Sequence, residues 1–430
     1  QEKYGKLNLR QVLQPAIKLA KRGFTVSPDL SDSLRSRYGR LKKHSATKGY
    51  FYRADGSFYL PGDQLLQTDL AATLKRVAAL GVDGFYKGKT AKLIVEQMER
   101  TGGLITHEDL LNYTVLEREP VCGSYRQVRL CAMPPPSSGA VHLVQMLNIL
   151  EKWQLSDYSH NSAMHLHLLI EAMRQAYADR SLYLGDPDFV TVPLSELTDK
   201  KYATKLSAQI SLDKARSSTD VLPGLDPLNA YQTKESDETT HFSVWDKEGN
   251  VVSNTYTLNF SYGNGIAVAG AGFLLNNEMD DFSSAPGVPN QFGLLGEKFN
   301  EIQPSKRPLS SMTPTIVFKN NSPFLIMGSP GGSRIITAVL QNFLNIAEFE
   351  MNLADSINKP RVHQQWYPDL LFLEKGFDEL HAEKITELGQ EVYFMNPGTA
   401  LESIMIKNNY FYGYGDTRRP DSKAIGVNGD

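Results

Sequence analysis

The chain has 430 residues, of which 41% are hydrophobic and 22% are charged, and its formal net charge is −3. This near balance, without a basic stripe, argues against proteins that bind nucleic acids or membrane surfaces through positive charge. The sequence has no run of 18 apolar residues, so we expect no transmembrane helix. Residues 1–4 include neither a methionine nor an apolar signal region, so we expect a processed or truncated start.

Apolar residues at helical spacing predict three helices in the first quarter of the chain, over 7–24, 67–80 and 89–100. Glycines follow the second and third of them, as is usual at helix ends. Thr106 and Asp109 have the spacing of a capping box, which predicts the start of a further short helix.

A strand is predicted over 126–133, where a triple proline ends it, and two helices follow over 139–153 and 162–183. His165 and His167 lie two positions apart in the second helix, so their side chains point to different faces. We therefore interpret both as structural histidines and not as metal ligands.

The two cysteines of the chain, Cys122 and Cys131, are too few for a disulfide framework. A single bridge between them is possible, but nothing in their spacing requires one. The sequence therefore favours two free thiols.

Residues 213–238 are rich in Ser, Asp, Pro and Gly and show no period, which predicts an exposed or mobile linker. Two hairpins are predicted after it, the first from 241–245 and 251–257 and the second from 315–319 and 323–328.

A helix over 333–347 and short strands near 370–373, 391–395 and 402–406 complete the predicted elements. Strand pairs framed by helices, in runs and not in strict alternation, predict an α+β fold with stacked sheets and helical outer layers.

The chain lacks the phosphate-binding loop, the dinucleotide-binding glycine motif, the nucleophile elbow and the common zinc motifs. Thr239 stands directly after the predicted linker and begins a strand. If the peptide bond between Glu238 and Thr239 is cut, the new α-amine, with a pKa near ~8, can act as the base for the neighbouring hydroxyl. The alternative is that Thr239 is an ordinary β-branched residue of a strand.

Three further groups could serve such a nucleophile. The N–H groups of Gly331 and Gly332, between a strand and a helix, could face an oxyanion, although a tight connection or a phosphate site would use the same residues. The acids and amides of 276–281 suit an ammonium group or a solvated turn. Ser310 and Ser311 could hold a carboxylate or have no special role.

Sequence blocks at matching spacing resemble the γ-glutamyltranspeptidase family over nearly the whole chain. The blocks are 133–139, 177–180, 185–188, 239–241, 256–259, 276–282, 308–312, 329–334 and 360–363 with Trp366. The resemblance implies the four-layer αββα sandwich of the N-terminal-nucleophile hydrolases. It also implies a large-subunit region, 1–238, and a small catalytic subunit, 239–430, that together form one structural domain.

The resemblance also implies roles for individual residues. Self-cleavage falls between Glu238 and Thr239, and Thr239 is then the nucleophile, with Thr257 as its hydrogen-bonding partner. Gly331 and Gly332 form the oxyanion hole. The residues that bind the substrate are Asn259, Glu278 and Asp281 at its α-amino group and Ser310 and Ser311 at its α-carboxylate.

Residues 283–305, with Phe292, resemble a lid loop, although phenylalanine lacks the hydroxyl that some relatives place there. Precursors in the family are longer, and their N-terminal region supplies core strands and an arginine for the substrate carboxylate. We expect this chain to begin downstream of both and so to lack the N-terminal portion of the fold.

The resemblance implies glutathione and other γ-glutamyl compounds as substrates and amino acids or dipeptides as acceptors. No cofactor, metal or nucleic acid is expected. It places the protein in the periplasm or outside the cell. Two alternatives stay open, which are a cephalosporin-acylase-like enzyme that prefers glutaryl amides and an inactive, truncated or unprocessed homologue.

Overall fold

The structure, a computed structural model, describes residues 1–225, 239–285, 287–291, 293–396 and 398–427. The chain forms two compact units, Gln1–Glu117 with Tyr262–Asn277 and Arg118–Ser261 with Glu278–Asp430. No helix in the described ranges combines the length and apolar character that crossing a bilayer requires. The predicted division into a large-subunit region, 1–238, and a small subunit, 239–430, concerns a covalent cut and stays a prediction.

The first unit consists mainly of helices. They are α1 Leu9–Arg22, α2 Pro28–Ser36, α3 Tyr38–Leu41, α4 Ser45–Phe51, α5 Thr68–Leu80, α6 Asp83–Tyr86, α7 Gly88–Thr101 and α8 His107–Asn112, with the short antiparallel pair β1 Phe24–Thr25 and β2 Gln64–Leu65. Thr106 caps α8 together with Asp109, so the predicted capping box is confirmed. The three predicted helices correspond to α1, α5 and α7.

The helices of the second unit include its most buried elements. They are α9 Gly139–Leu150, α10 Ala163–Tyr183, α11 Leu194–Leu197, α12 Lys200–Ala208, α13 Arg334–Ala347, α14 Leu353–Asn358 and α15 Glu379–Glu387. Every residue of α9 is buried, and α10 and α13 pack against it. A helix that is buried on all sides forms the centre of a core and not an amphipathic surface layer.

Three sheets belong to the second unit. Their strands are β3 Val121–Tyr125, β4 Val128–Ala132, β5 Thr240–Trp245, β6 Val251–Tyr256, β7 Thr315–Lys319, β8 Ser322–Met327, β9 Val362–His363, β10 Leu371–Glu374, β11 Val392–Met395, β12 Glu402–Lys407 and β13 Tyr410–Gly415. The largest sheet is antiparallel, with the order β13-β12-β8-β7-β4-β3. The hairpin β5-β6 and the set β11-β10-β9 form the other two.

The six-stranded sheet lies between helices and the β5-β6 hairpin. Leu325 and Met327 of β8 join the core cluster that contains α9 and α13, whereas Ile326 between them points to the opposite face because side chains alternate along a strand. The hairpin contacts β8 and β12 on that other face. The predicted α+β class with stacked sheets is confirmed, and three successive layers can be traced in the second unit.

The two predicted hairpins are confirmed as β5-β6 and β7-β8. Residues 213–225 of the predicted linker form no helix or strand, and seven of these thirteen residues are exposed, but part of the segment is anchored within the second unit. Ser218 and Val221 are buried, and their carbonyl groups accept hydrogen bonds of 2.9 and 2.8 Å from Trp366 Nε1. Residues 226–238 of that prediction lie outside the described residues.

Cys122 and Cys131 form a disulfide, so the prediction of two free thiols is wrong. The two residues lie directly opposite each other on the antiparallel strands β3 and β4, and their Cα atoms are 4.1 Å apart. The distance was not visible in the sequence, because it depends on the register of the hairpin and not on the number of residues between the cysteines.

Candidate active site

Thr239 directly precedes β5 and is only 9% exposed. Its Oγ1 donates a hydrogen bond of 3.3 Å to Oγ1 of Thr257, the residue after β6, which also accepts a bond of 2.8 Å from the Asn259 N–H. The antiparallel pairing of β5 with β6 brings these residues together at the open end of the hairpin. Glu238, the other side of the predicted cleavage site, lies outside the described residues.

The nearest histidine along the strand does not serve Thr239 as a base. The ring nitrogens of His241 hydrogen-bond to Thr255 Oγ1 at 2.8 Å and Ser243 Oγ at 3.1 Å. Burial lowers the pKa of His241 to about 4, so the ring is neutral at physiological pH. This leaves the α-amine that a cut would create as the base beside the Thr239 hydroxyl.

The loop between β8 and α13 carries the predicted oxyanion donors. Gly331 has φ +131° and Gly332 has φ +55°, values that favour glycine. A Cβ at Gly331 would also lie 2.5 Å from Thr399 Cγ2. In the described part of the chain, neither glycine N–H has a hydrogen-bond partner, which leaves both able to bind an incoming oxygen. Gly332 lines the cavity at Thr239, and Gly331 is its neighbour in the chain.

The predicted ammonium-binding residues lie on a 3-10 helix, Glu278–Asp281, and on the loop after β6. Asn259 is buried, with φ +70°, a conformation that asparagine tolerates better than most residues. Burial raises the pKa of Glu278 to about 7. Burial, followed by the charge of Glu278, raises the pKa of Asp281 to about 8.

Asp280 joins this acidic group to the predicted lid loop. The Gln291 N–H donates to both carboxylate oxygens of Asp280, at 3.3 Å to Oδ1 and 3.1 Å to Oδ2. The same carboxylate also accepts a hydrogen bond from the side chain of Asn259. Phe292, which the sequence analysis placed on the lid, lies outside the described residues. Leu294, farther along this loop, lines the cavity.

The two predicted carboxylate-binding serines are held by the polyproline segment before α9. Ser310 N donates to Pro136 O at 2.7 Å, and Ser310 O accepts from Ser138 N at 2.8 Å and Ser138 Oγ at 3.0 Å. Ser310 Oγ accepts from Met312 N at 3.1 Å. These contacts fix the serine loop at the wall of the cavity.

One small cavity collects most of the predicted residues. Glu278 and Gly331 are not part of its lining, but the charge of Glu278 raises the pKa of Asp281, which is part of it. The cavity lining consists of Thr239, Thr257, Asn259, Asp281, Leu294, Ser310, Ser311, Met312, Gly332, Ser333 and Ile335. Leu294, Met312, Ser333 and Ile335 also line the cavity and were not predicted, because their residue types do not distinguish them from ordinary core or loop residues. Within the described ranges, His, Cys, Asp and Glu form no group of three that could hold a metal ion.

A threonine at a strand start, glycine N–H groups, and acidic and serine walls around one cavity define an N-terminal-nucleophile hydrolase. The structure of a cephalosporin acylase from Bacillus halodurans has this fold, with a TM-score of 0.85 at 23% identity over 100% of this chain and 76% of that one. The predicted fold is thereby confirmed.

The family model described as γ-glutamyltranspeptidase matches residues 1–426, so the chain belongs to that family and is an enzyme. It is 47% identical over 428 residues to the "Glutathione hydrolase proenzyme" of Escherichia coli K12, covering 99% of this chain and 73% of that protein. It is also 38% identical over 390 residues to the "Acylase ACY 1 proenzyme" of Pseudomonas sp. SE83, an alignment that covers 91% of this chain and 66% of that protein.

Proposed function

We propose that this chain cuts itself between Glu238 and Thr239 and then transfers γ-glutamyl groups from glutathione or similar amides to water, amino acids or dipeptides. The observation that carries the proposal is the position of Thr239 Oγ1 at a cavity with acids on one wall and a serine pair on another. Such a cavity suits a γ-glutamyl group, which carries an ammonium and a carboxylate on the same carbon. The name of the Escherichia coli relative supports the same substrate.

The proposed reaction has two halves. Thr239 Oγ1 attacks the γ-carbonyl carbon, and the α-amine of Thr239 takes the hydroxyl proton. The oxyanion of the tetrahedral intermediate faces the N–H groups of Gly331 and Gly332. Its collapse breaks the C–N bond, the α-ammonium gives its proton to the leaving amine, and a γ-glutamyl ester of Thr239 remains.

Water or the amine of an acceptor then attacks the ester carbonyl and gives a proton to the same α-amine. When the C–O bond to Thr239 breaks, that proton returns to Oγ1, and glutamate or a new γ-glutamyl amide leaves. Apart from the incoming water or amine, each group that donates a proton or a hydrogen bond in this reaction belongs to Thr239 or to the glycine loop. The acids and serines bind the part of the substrate that does not react.

A glutaryl acylase is the second candidate, and the similarity to the Bacillus halodurans enzyme and to Acylase ACY 1 favours it. A glutaryl group has no ammonium, so it offers no positive charge to Asn259, Glu278 and Asp281. When the two acids ionise, they repel a substrate group that carries only negative charge. We therefore rank γ-glutamyl transfer first and an inactive, unprocessed homologue last.

The substitution Thr239→Ala tests the nucleophile, with Thr240→Ser on the adjacent, exposed position as control. We expect T239A to run as a single chain on a denaturing gel and to leave γ-glutamyl anilide intact, at least 10³-fold below the unsubstituted enzyme. T240S should give two fragments and full turnover. Cleavage and turnover in T239A would contradict the mechanism, and faster hydrolysis of glutaryl than γ-glutamyl anilide by the unsubstituted enzyme would favour the acylase.

We also propose that the protein works in an oxidising compartment, such as the periplasm or the cell exterior. The family resemblance is the first support, and the Cys122–Cys131 disulfide is the second, because such bonds persist mainly outside reducing cytosol. Quantifying free thiols in protein extracted from its native host under alkylating conditions tests this, and two free thiols would contradict it.

A further inference from the structure

Arg180 of α10 is a buried cation that forms no ion pair with a carboxylate in the described ranges, although the charge of Asp281 acts on it. Only 4% of the residue is exposed. Its Nε donates to Ser138 Oγ at 3.2 Å, and one terminal nitrogen donates to Leu309 O at 3.4 Å. Both acceptors are neutral, so they satisfy hydrogen-bonding groups of the guanidinium without compensating its charge.

Two other buried arginines of the second unit form ion pairs with carboxylates. Arg174, on the same helix, pairs with Glu171 and with Asp369, and Arg361 pairs with Asp416. Removing a charge from water is costly unless an opposite charge or good hydrogen bonds replace the solvent. Arg180, whose direct acceptors are both neutral, differs from these two arginines in this respect.

The contacts of Arg180 lead to the serine wall of the cavity. Ser138, which accepts from Arg180, donates through N and Oγ to Ser310 O at 2.8 and 3.0 Å. Leu309, the other acceptor, immediately precedes Ser310. One layer of side chain and backbone therefore separates the guanidinium from Ser310 and Ser311, which line the cavity.

The charge of Arg180 also reaches the acidic wall. Burial raises the pKa of Asp281 and the charge of Glu278 raises it further, whereas Arg180 opposes the rise. A substrate carboxylate that enters beside these acids meets like charge. A fixed cation behind the serine loop offsets that repulsion, since charges interact strongly through a weakly polarisable interior.

We propose that Arg180 is a positioning residue that holds the serine loop through Ser138 and Leu309 and supplies the positive field that selects substrates with an α-carboxylate. The inference rests on the proposed γ-glutamyl activity and adds a determinant of its specificity. Because Arg180 acts without contacting the substrate, removing its charge should weaken binding of the α-carboxylate and leave the acyl transfer step nearly unchanged.

Two anilides that differ only in the carboxylate provide the test. γ-Glutamyl anilide has both the ammonium and the carboxylate, whereas 4-aminobutyryl anilide keeps the ammonium and lacks the carboxylate. The ratio of their kcat/KM values reports how strongly the site selects the carboxylate, independent of the fraction of protein that is processed and active. We expect the unsubstituted full chain to favour γ-glutamyl anilide at least tenfold.

In R180Q we expect the ratio to fall at least tenfold, through a higher KM for γ-glutamyl anilide and with similar kcat, while 4-aminobutyryl anilide changes less than threefold. R180K should recover part of the ratio because it keeps the charge, but should stay at least threefold below the unsubstituted enzyme because an ammonium lacks the planar fork. R174K, a matched change of a paired arginine on the same helix, should leave the ratio unchanged.

An equal effect of R180Q on both anilides would overturn the proposal, because a loss of packing alone predicts it. If R180Q does not fold, R180K decides, and a ratio within twofold of the unsubstituted enzyme would overturn the proposal. The proposal would also be overturned, without any variant, if the active unsubstituted enzyme hydrolysed both anilides equally well. Failure of the unsubstituted enzyme on both anilides would instead count against the proposed function.

Discussion

Glu278 and Asp281 give the site a dependence on pH that their side-chain type alone does not predict. Burial raises their pKa to about 7 and about 8, so both are largely neutral at pH 6. A substrate ammonium binds the ionised forms best. Because the folded-state values are raised, these groups contribute stability that is full below their ordinary pKa near ~4 and is lost as pH rises through 7 to 8.

We predict that the KM for γ-glutamyl anilide falls about tenfold between pH 6 and pH 8.5, as the two acids ionise. D281N should flatten this profile, since one of the two titrating groups is gone. Initial rates at several substrate concentrations across the pH range measure the effect. Glutaryl anilide is the control substrate, because it has no ammonium, and a parallel fall in its KM would assign the profile to another group.

At the scale of single residues, the sequence predicted a nucleophile, Thr239, and the groups around it because motif spacing carries chemistry. It did not name Arg180 or Ser138, although both lie in recognised blocks. Their importance depends on contacts with partners 129 and 172 positions away, at Leu309 and Ser310. A role that arises from tertiary contact leaves no periodic or compositional signal.

The β5-β6 hairpin is positioned by a close contact at the end of β8. A Cβ on Gly328 would lie 2.2 Å from Cε1 of His241, which is far inside van der Waals contact. His241 is two residues from Thr239, and Gly328 begins the loop that holds Gly331 and Gly332. The absence of a side chain at 328 therefore lets the strand that follows Thr239 and the loop with the predicted oxyanion donors approach each other.

We predict that G328A lowers the free energy of unfolding by about 1–3 kcal/mol, as overpacking typically does. It should also reduce kcat about 10-fold or more, because a displacement near 1 Å costs up to ~10² in rate. Urea unfolding and steady-state kinetics measure the two effects. H241A/G328A should recover part of the stability, and G426A, where nothing lies within 4 Å of the added methyl group, should be neutral. If G328A and G426A had the same free energy of unfolding, the predicted clash between a side chain at 328 and His241 would be contradicted.

Elements were predictable where the pattern is local. Alternation and turn residues placed β5-β6 and β7-β8, and the period of 3.6 placed α10 and α13. The neighbours of each strand were not predictable, since β4 pairs with β7 across an interval that includes the four helices α9, α10, α11 and α12. Composition predicted the irregular and largely exposed course of 213–225, but not its anchoring, in which the Trp366 indole donates to the carbonyls of Ser218 and Val221.

At the scale of the whole molecule, the Cys122–Cys131 bond acts on the unfolded chain. We predict that C122S/C131S lowers the free energy of unfolding by about 2–3 kcal/mol, the loop-closure contribution for a loop of this short length. Urea titration of the oxidised protein and the double variant measures the difference. Activity at 25 °C should be unchanged, because neither cysteine lines the cavity. A difference below about 0.5 kcal/mol would contradict the expectation.

The fold class was predictable as a whole because runs of strand pairs between helices admit few layered arrangements. The family resemblance made that prediction specific. The six-stranded order and the complete burial of α9 required the structure, since both depend on which faces meet and not on the pattern of one segment.

The six-stranded sheet takes β3 and β4 from before the predicted cut and its other four strands from after it. Cleavage at Thr239 would thus leave two polypeptides joined by the backbone hydrogen bonds between β4 and β7. The native molecule would not come apart on dilution in the manner of a loose complex, but its denatured state would consist of two separate chains. Refolding would become a second-order process, and the unfolding midpoint would rise with protein concentration only in cleaved material.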